Sequence, residues 1–313
     1  MKIGIIGGGF GRGLASVAAR AGHEVVLCSR RPLADDADGR ICTASLAAVF
    51  ERDLVFLAVP SSRLQALIEE VVHHVNGRHS VVHVSRGLLG PELQTVCQSL
   101  VAATSVRRVG VLAGPLSDAV LKQGTPGGAI VGSDYPEVID VVRDALGGPN
   151  LRVYGTSDRQ GVELAAALTG ILLFALGYGH GMGFGPSTLG LLAARGIAEV
   201  LRIVRELGGQ PETLTGLAGF GDLMAAVAGD GRPEWALGAT MAKGVSTGQA
   251  RETVRANVEG TEIVAHLQAF AHARGFELPL VDALDAVISG RVSGDEAVRS
   301  LMSRDVNDEG IAL

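Results

Sequence analysis

Two patterns of apolar and polar positions divide the chain near residue 157. In the first part, short apolar runs alternate with helical stretches. Lys2-Ile3-Gly4-Ile5-Ile6 is nearly continuous in apolar residues and ends in glycines, as a strand buried on both faces does. An alanine-rich stretch from Leu14 to Ala21 reads as a helix closed by Gly22. Further strands are predicted at Glu24 to Cys28, Asp53 to Val59, Ser80 to Val84, Val109 to Leu112, Ala129 to Val131 and Leu151 to Tyr154. Pro60 halts the run from Asp53 to Val59, and Ser61 is placed to cap the helix that follows through Val72.

Alternation of this kind specifies a doubly wound α/β fold, a parallel sheet of Rossmann type with helices on both faces. Ligands in such sheets sit beyond the carboxyl ends of the strands. That rule selects the residues from Gly7 to Gly13, from Ser29 to Arg31, Pro60 to Ser62, Arg86, and Gly114-Pro115.

After Tyr154 the strand signals stop. Alanine- and leucine-rich segments from Gly161 to Ala175, Leu189 to Leu207 and Thr261 to Ala273 predict helices, as do shorter stretches at Pro279 to Ser289 and Gly294 to Met302. The division is a dinucleotide-binding domain at 1–157 and an all-α domain at 158–313 for substrate and dimerisation. No formal charge lies between Glu163 and Arg195 except a proton on His180, but glycines from Gly177 to Gly185 interrupt the apolar run. Leu164 to Leu176 is too short for a bilayer, which needs about 20 apolar residues. A helix apolar all round is expected at the centre of a helical domain or at a subunit interface, with no membrane span.

Composition removes other classes. The net charge is −6 and aromatic residues are 4%, which argues against a nucleic-acid partner. Cys28, Cys42 and Cys97 lack metal-ligand spacing and are expected as buried, reduced thiols in a cytoplasmic protein. The N-terminus shows no secretory signal pattern. His73, His74, His79 and His83 cluster in sequence, but their spacing scatters them over different faces, so no metal site is expected.

Gly7-Gly8-Gly9-Phe10-Gly11-Arg12-Gly13 follows the first strand and opens a helix. In that context glycines let a pyrophosphate approach backbone N–H groups at a helix N-terminus. Gly7 and Gly9 fit the G-x-G-x-x-G spacing, while Gly11 comes one residue early, so a contracted turn is expected, with Arg12 adding charge near phosphate. At the end of the second strand an NAD-specific fold places a carboxylate on the ribose; this chain has Ser29-Arg30-Arg31, which favours NADP(H), with NAD as the other candidate.

Taken together, these stretches resemble the NAD(P)-dependent glycerol-3-phosphate dehydrogenase family over nearly the whole chain. The resemblance rests on the glycine turn, Ala58-Val59-Pro60-Ser61, Gly114-Pro115, Gly161-Val162-Glu163-Leu164 and Arg195-Gly196-Ile197-Ala198-Glu199. It rests most specifically on Pro211-Glu212-Thr213 running through Gly221-Asp222-Leu223, and continues through Val258-Glu259-Gly260. It implies a nicotinamide-dependent oxidoreductase, a homodimer, that interconverts dihydroxyacetone phosphate and glycerol 3-phosphate. It also implies contacts from Pro60 and Glu259 to the cofactor.

Departures fall where the family does its chemistry. A Thr-Lys-Gly of the family stands here as Ser85-Arg86-Gly87, and its Lys-Asn falls on Thr169-Gly170. Its phosphate-gripping Arg-Asn falls on Pro233-Glu234, or, with a one-residue shift, starts at Arg232. Arginine keeps charge but does not readily give up a proton, and a carboxylate repels a phosphate dianion. A diverged substrate is then expected, a non-phosphorylated or cationic ketone or imine, with dihydroxyacetone phosphate kept as the best named candidate. Arg86 is then assigned to the oxyanion or cofactor, Asp222, Thr169, Arg232 and Glu234 to the substrate, and proton donation to His180 or water. The alternative is a catalytically degenerate NAD(P)-binding sensor or interaction module.

Overall fold

The computed structural model describes residues 1–30, 40–229 and 232–305. The N-terminal half runs β1 (Lys2–Ile6), α1 (Phe10–Arg20), β2 (Glu24–Cys28), β3 (Ile41–Thr43), α2 (Leu46–Val49) and β4 (Leu54–Leu57). It continues with α3 (Leu64–Val71), β5 (Ser80–His83), α4 (Val96–Ala103), β6 (Arg108–Ala113) and α5 (Asp118–Gln123). β7 (Gly127–Gly132), α6 (Pro136–Leu146) and β8 (Leu151–Thr156) complete it.

The strands form one eight-stranded sheet in the order β3-β2-β1-β4-β5-β6-β7-β8. Every neighbouring pair is parallel except β6 and β7, which run antiparallel. The apolar runs became strands because both faces are covered. Ile3 and Ile5 point into one layer with Leu14 and Val25, while Ile6 packs in the other with Leu57 and Leu64. The short edge strand β3 has no sequence prediction, since three residues carry too little periodicity to register.

From Arg159 onward the structure is helical. α7 (Arg159–Gly181) and α8 (Pro186–Glu206) are the longest; α9 (Pro211–Leu214), α10 (Asp222–Ala228), α11 (Pro233–Met241) and α12 (Thr247–Val254) follow. α13 (Val264–Arg274), α14 (Pro279–Ile288) and α15 (Gly294–Met302) end the described chain. A π-helical turn at Leu217–Gly221 leads into α10, and a 3-10 turn at Gly260–Glu262 precedes α13.

α7 is the axis of this half. Leu164, Leu168, Leu173 and Phe174 are all essentially inaccessible. It is long and apolar enough to cross a bilayer, yet 94% of its most apolar stretch is buried inside the fold. The apolar faces of α7 are therefore consumed by this chain's own core, and the expected subunit-interface role does not fall to them. The helix also runs five residues beyond Leu176, through the glycines expected to break it. A Cβ at Gly177 meets the Trp235 carbonyl oxygen at 2.2 Å, and one at Gly181 meets that of Ala239 at 2.7 Å. Reciprocally, a Cβ at Gly238 meets the Phe174 carbonyl oxygen at 2.2 Å. These glycines let α7 and α11 lie backbone against backbone, and that packing outweighs the roughly 1 kcal/mol each costs a helix.

Two further expectations change. Ser61 lies within a 3-10 turn and makes no side-chain cap; Pro60 holds the cap position. Of the cysteines, all unpaired, Cys97 is buried, Cys28 half-buried and Cys42 exposed. Cys42 sits on the edge strand β3, whose residues have little cover.

Candidate functional site

The carboxyl ends of β1, β2, β4, β5 and β6 open into a cleft of about 950 Å³. Gly7, Gly8 and Gly9 form one wall at its outer end, with Ser29, Arg30 and Arg63; Arg86, Arg232, Glu234, Asn257 and Glu259 lie at its inner end.

The glycine turn is built for close approach. Gly7 has φ +128°, and a Cβ there falls 2.0 Å from the Ala58 carbonyl oxygen. A Cβ on Gly8 falls 2.2 Å from Ser29 Oγ. Gly9 is different: it is exposed and its missing Cβ faces open space. It caps α1 with no side-chain hydrogen bond, and the first turn of α1 contains no acidic residue. The N–H groups and positive end of α1 are thus available to a diphosphate. These features fit a dinucleotide cofactor.

Phe10 lines the cleft, but Gly11 and Arg12 do not. A Cβ on Gly11 lies 3.2 Å from both Ala58 Cβ and Ile5 Cγ2, so this glycine seats α1 on the sheet. That explains the contracted spacing: the helix begins at Phe10, immediately after the turn. Ser29, Arg30 and Pro60 line the cleft. Arg31 lies outside the described residues.

At the inner end, a buried ionic cluster joins the two halves. Arg86, following β5, donates from Nη2 to the carbonyl oxygens of Gly114 (3.2 Å) and Leu116 (3.3 Å). Its Nη1 stands 3.6 Å from Asp222 Oδ2. Asp222, the first residue of α10, receives Arg232 Nη1 on the same oxygen at 2.9 Å. Arg232 Nη2 donates to Glu234 Oε1 at 3.2 Å. Asp222, Arg232 and Glu234 are buried, at 4%, 6% and 1% exposure. Glu234 Oε2 is buried with no hydrogen-bond partner.

Burial lowers the pKa of the Arg86 guanidinium, and Asp222 only partly opposes this. For Arg232 burial acts in the same direction, but Glu234 and Asp222 outweigh it, so its pKa is raised.

Gly170 makes room for this pair. A Cβ there meets Gly260 Cα at 3.1 Å, and Arg232 Nη2 and Glu234 Oε1 at 3.3 Å each. Arg232 therefore places its guanidinium against α7 at Gly170. Thr169 is buried and its hydroxyl donates to the Ala165 carbonyl oxygen at 2.8 Å, within its own helix. It does not line the cleft.

Glu259 spends both carboxylate oxygens on backbone. Oε2 accepts the Arg86 N–H at 2.8 Å, and Oε1 accepts that of Ser61. It ties the loops after β4 and β5 to the helical half, and so fixes the start of the Arg86 side chain. His180 is elsewhere. It lies about three turns, roughly 16 Å, beyond Thr169 on α7, exposed, with its ring 5.4 Å from that of Trp235. It does not line the cleft, which removes the geometric basis for its donating a proton there.

Glu163, near the start of α7, is a buried hub. It bonds His83 Nε2 at 3.0 Å, the Cys97 N–H at 2.8 Å and Arg159 Nη1 at 2.6 Å. Burial alone raises a carboxyl pKa, but these partners outweigh it and lower that of Glu163. Sequence reasoning passed over Asn257 and Arg63, which line the cleft as isolated polar residues with no spacing to mark them.

Residues 158–299 match the family described as NAD-dependent glycerol-3-phosphate dehydrogenase C-terminus. Residues 2–87 match that described as NADP oxidoreductase coenzyme F420-dependent. The chain is 33% identical to a glycerol-3-phosphate dehydrogenase [NAD(P)+] of Azorhizobium caulinodans, covering 97% of each chain. It is 34% identical to one of Deinococcus radiodurans, covering 96% of this chain and 94% of the relative. In fold it is similar to a glycerol-3-phosphate dehydrogenase from Coxiella burnetii, with a TM-score of 0.88 at 24% identity, covering 97% of this chain and 99% of the other.

Proposed function

The chain belongs to the NAD(P)-dependent glycerol-3-phosphate dehydrogenase family, and from that premise we propose that it moves a hydride between a nicotinamide cofactor and a small hydroxy or keto substrate in this cleft. One observation carries the reading: a single cleft runs from the glycine turn to the buried cluster of Arg86, Arg232 and Glu234. The glycerol 3-phosphate and dihydroxyacetone phosphate pair, named by its relatives, is the reference substrate for any assay.

NAD(P)H, when bound, supplies the hydride. The chain's own groups do the rest. Gly7, Gly9, Phe10 and Pro60 hold the nucleotide, and Arg30 favours a 2′-phosphate over a bare ribose hydroxyl. Arg86, held in place by Glu259 and two carbonyls, faces the oxyanion that develops when a ketone accepts hydride. Asp222 and Glu234 orient the substrate through the arginines, and water is the source of the proton.

The reading includes the division at residue 157 and a homodimer in the cytoplasm. Exposed Phe220, Met224 and Val227, spaced four and three apart, support a second copy as partner. Three unpaired cysteines accord with a reducing compartment.

The test is NADPH and NADH oxidation across ketones and imines that include dihydroxyacetone phosphate, beside direct measurement of cofactor binding. Turnover abolished by Arg86→Ala with cofactor affinity retained is the expected result. Tight NADPH binding with no turnover of any compound in the panel refutes the enzymatic reading in favour of a sensor.

A further inference from the structure

We infer that Glu163 is a positioning residue for hydride transfer: from outside the cleft, it holds closed the base of the loop that carries Arg86. This inference rests on the reading of Arg86 given above and concerns what keeps that arginine in place.

The loop at 84–95 joins β5 to α4, and Arg86 stands three residues past the end of β5. The sheet fixes where β5 ends, but the return of the chain to α4 needs a fastening of its own, or the loop samples many conformations. One oxygen atom supplies it. Glu163 Oε1 accepts His83 Nε2, on the last residue of β5, at 3.0 Å, and the Cys97 N–H, in the first turn of α4, at 2.8 Å. Both ends of the loop thus meet at a single carboxylate, brought by α7 from the helical half. His83, Cys97 and Glu163 are buried, at 1%, 0% and 4% exposure.

The clamp is fixed on its own side and has no substitute on the other. Glu163 Oε2 accepts Arg159 Nη1 at 2.6 Å, and Arg159 Nε donates to Asp134 Oδ2 at 2.8 Å. His83 Nδ1 is buried with no hydrogen-bond partner, so among the described residues Glu163 is the sole hydrogen-bond partner of that ring. Thr95 and Gln98 cap each other at the start of α4, which leaves the Cys97 N–H to Glu163. Without the carboxylate, a buried imidazole and a buried N–H lose their acceptor together, and the loop shifts to satisfy them.

Arg86 follows the loop. Its Nη2 contacts to the Gly114 and Leu116 carbonyl oxygens, at 3.2 and 3.3 Å, are at the long end of the hydrogen-bond range and do not hold it alone. Misplacing a group by about 1 Å where charge develops costs up to about 100-fold in rate. Glu163 does not line the cleft, so its effect reaches the reaction through the loop and falls on kcat.

Glu163→Ala and Glu163→Gln are to be compared with the parent in NADPH oxidation by dihydroxyacetone phosphate. Each is assayed well below its own Tm, with kcat expressed per NADPH-binding site. Glu163→Ala is expected to lower kcat about tenfold or more, with the Kd for NADPH within about threefold of the parent. Glu163→Gln gives up the ion pair with Arg159 but keeps an acceptor for His83 and Cys97, and is expected to retain kcat within about threefold. A purely structural role lowers Tm and the number of binding sites but leaves kcat per site unchanged; that result overturns the inference, as does an equal loss in the two variants. Where Glu163→Ala does not fold, His83→Leu and His83→Gln decide in the same way, since the glutamine amide keeps a donor near Nε2. A parent with no turnover, or an Arg86→Ala variant with parental kcat, defeats the underlying reading instead, and the inference with it.

Discussion

Replacing Arg232 by leucine removes the charge that holds Asp222 and Glu234 together. Asp222 keeps Arg86 at 3.6 Å, but Glu234 loses its hydrogen-bonded cation and already has one buried oxygen unsatisfied. Breaking a buried pair from one side costs about 3–5 kcal/mol, because an uncompensated charge remains. At this chain length that corresponds to a Tm lower by roughly 5–8 °C. Thermal unfolding followed by circular dichroism should show this deficit in Arg232→Leu. The double variant Arg232→Leu, Glu234→Leu should recover most of it, since an apolar pair needs no compensation. A deficit below about 1 kcal/mol refutes the claim that this is a buried, mutually dependent pair.

Other consequences are narrower. Gly177→Ala places a methyl against the Trp235 carbonyl at a distance no Cβ adopts, so it should destabilise by about 1–3 kcal/mol although alanine favours helix; equal or greater stability in urea denaturation contradicts the backbone packing of α7 on α11. Glu199, buried where it accepts the N–H groups of Leu280 and Val281, has a pKa pushed up to about 7 by burial. Its contribution to stability is full below about pH 4.3 and lost as pH rises through about 7, on the order of 3 kcal/mol at most. Between pH 5 and pH 8 the parent should lose more Tm than Glu199→Gln, and parallel curves refute the assignment. Arg30→Asp should raise KM for NADPH tenfold or more and leave that for NADH within a few-fold; equal changes for the two cofactors count against a 2′-phosphate contact at Arg30.

The sequence by itself determined the sheet and the nucleotide end of the cleft. Apolar runs such as Leu54–Leu57 have no alternative to burial on both faces, and glycines between a strand and a helix have one common use. The seven longer strands were legible for that reason, as were Gly7, Gly9, Ser29 and Pro60 at the strand ends. What the pattern could not contain was contact between residues far apart in sequence. The helix through Gly177 and Gly181 depends on Gly238, some sixty residues away, and no local propensity predicts it. Thr169-Gly170 reads along the chain as a lost charge. Only the tertiary structure shows Arg232 and Glu234 packed over Gly170, returning one cation and neutralising it in the same place. His180 and Glu163 exchanged importance for a similar reason. A side chain's chemistry is written in its residue type, but its partners are fixed by where α7 lies against the sheet and against α11. The family and its cofactor are therefore properties of local sequence, while the charge balance at the inner end of the cleft is decided by packing.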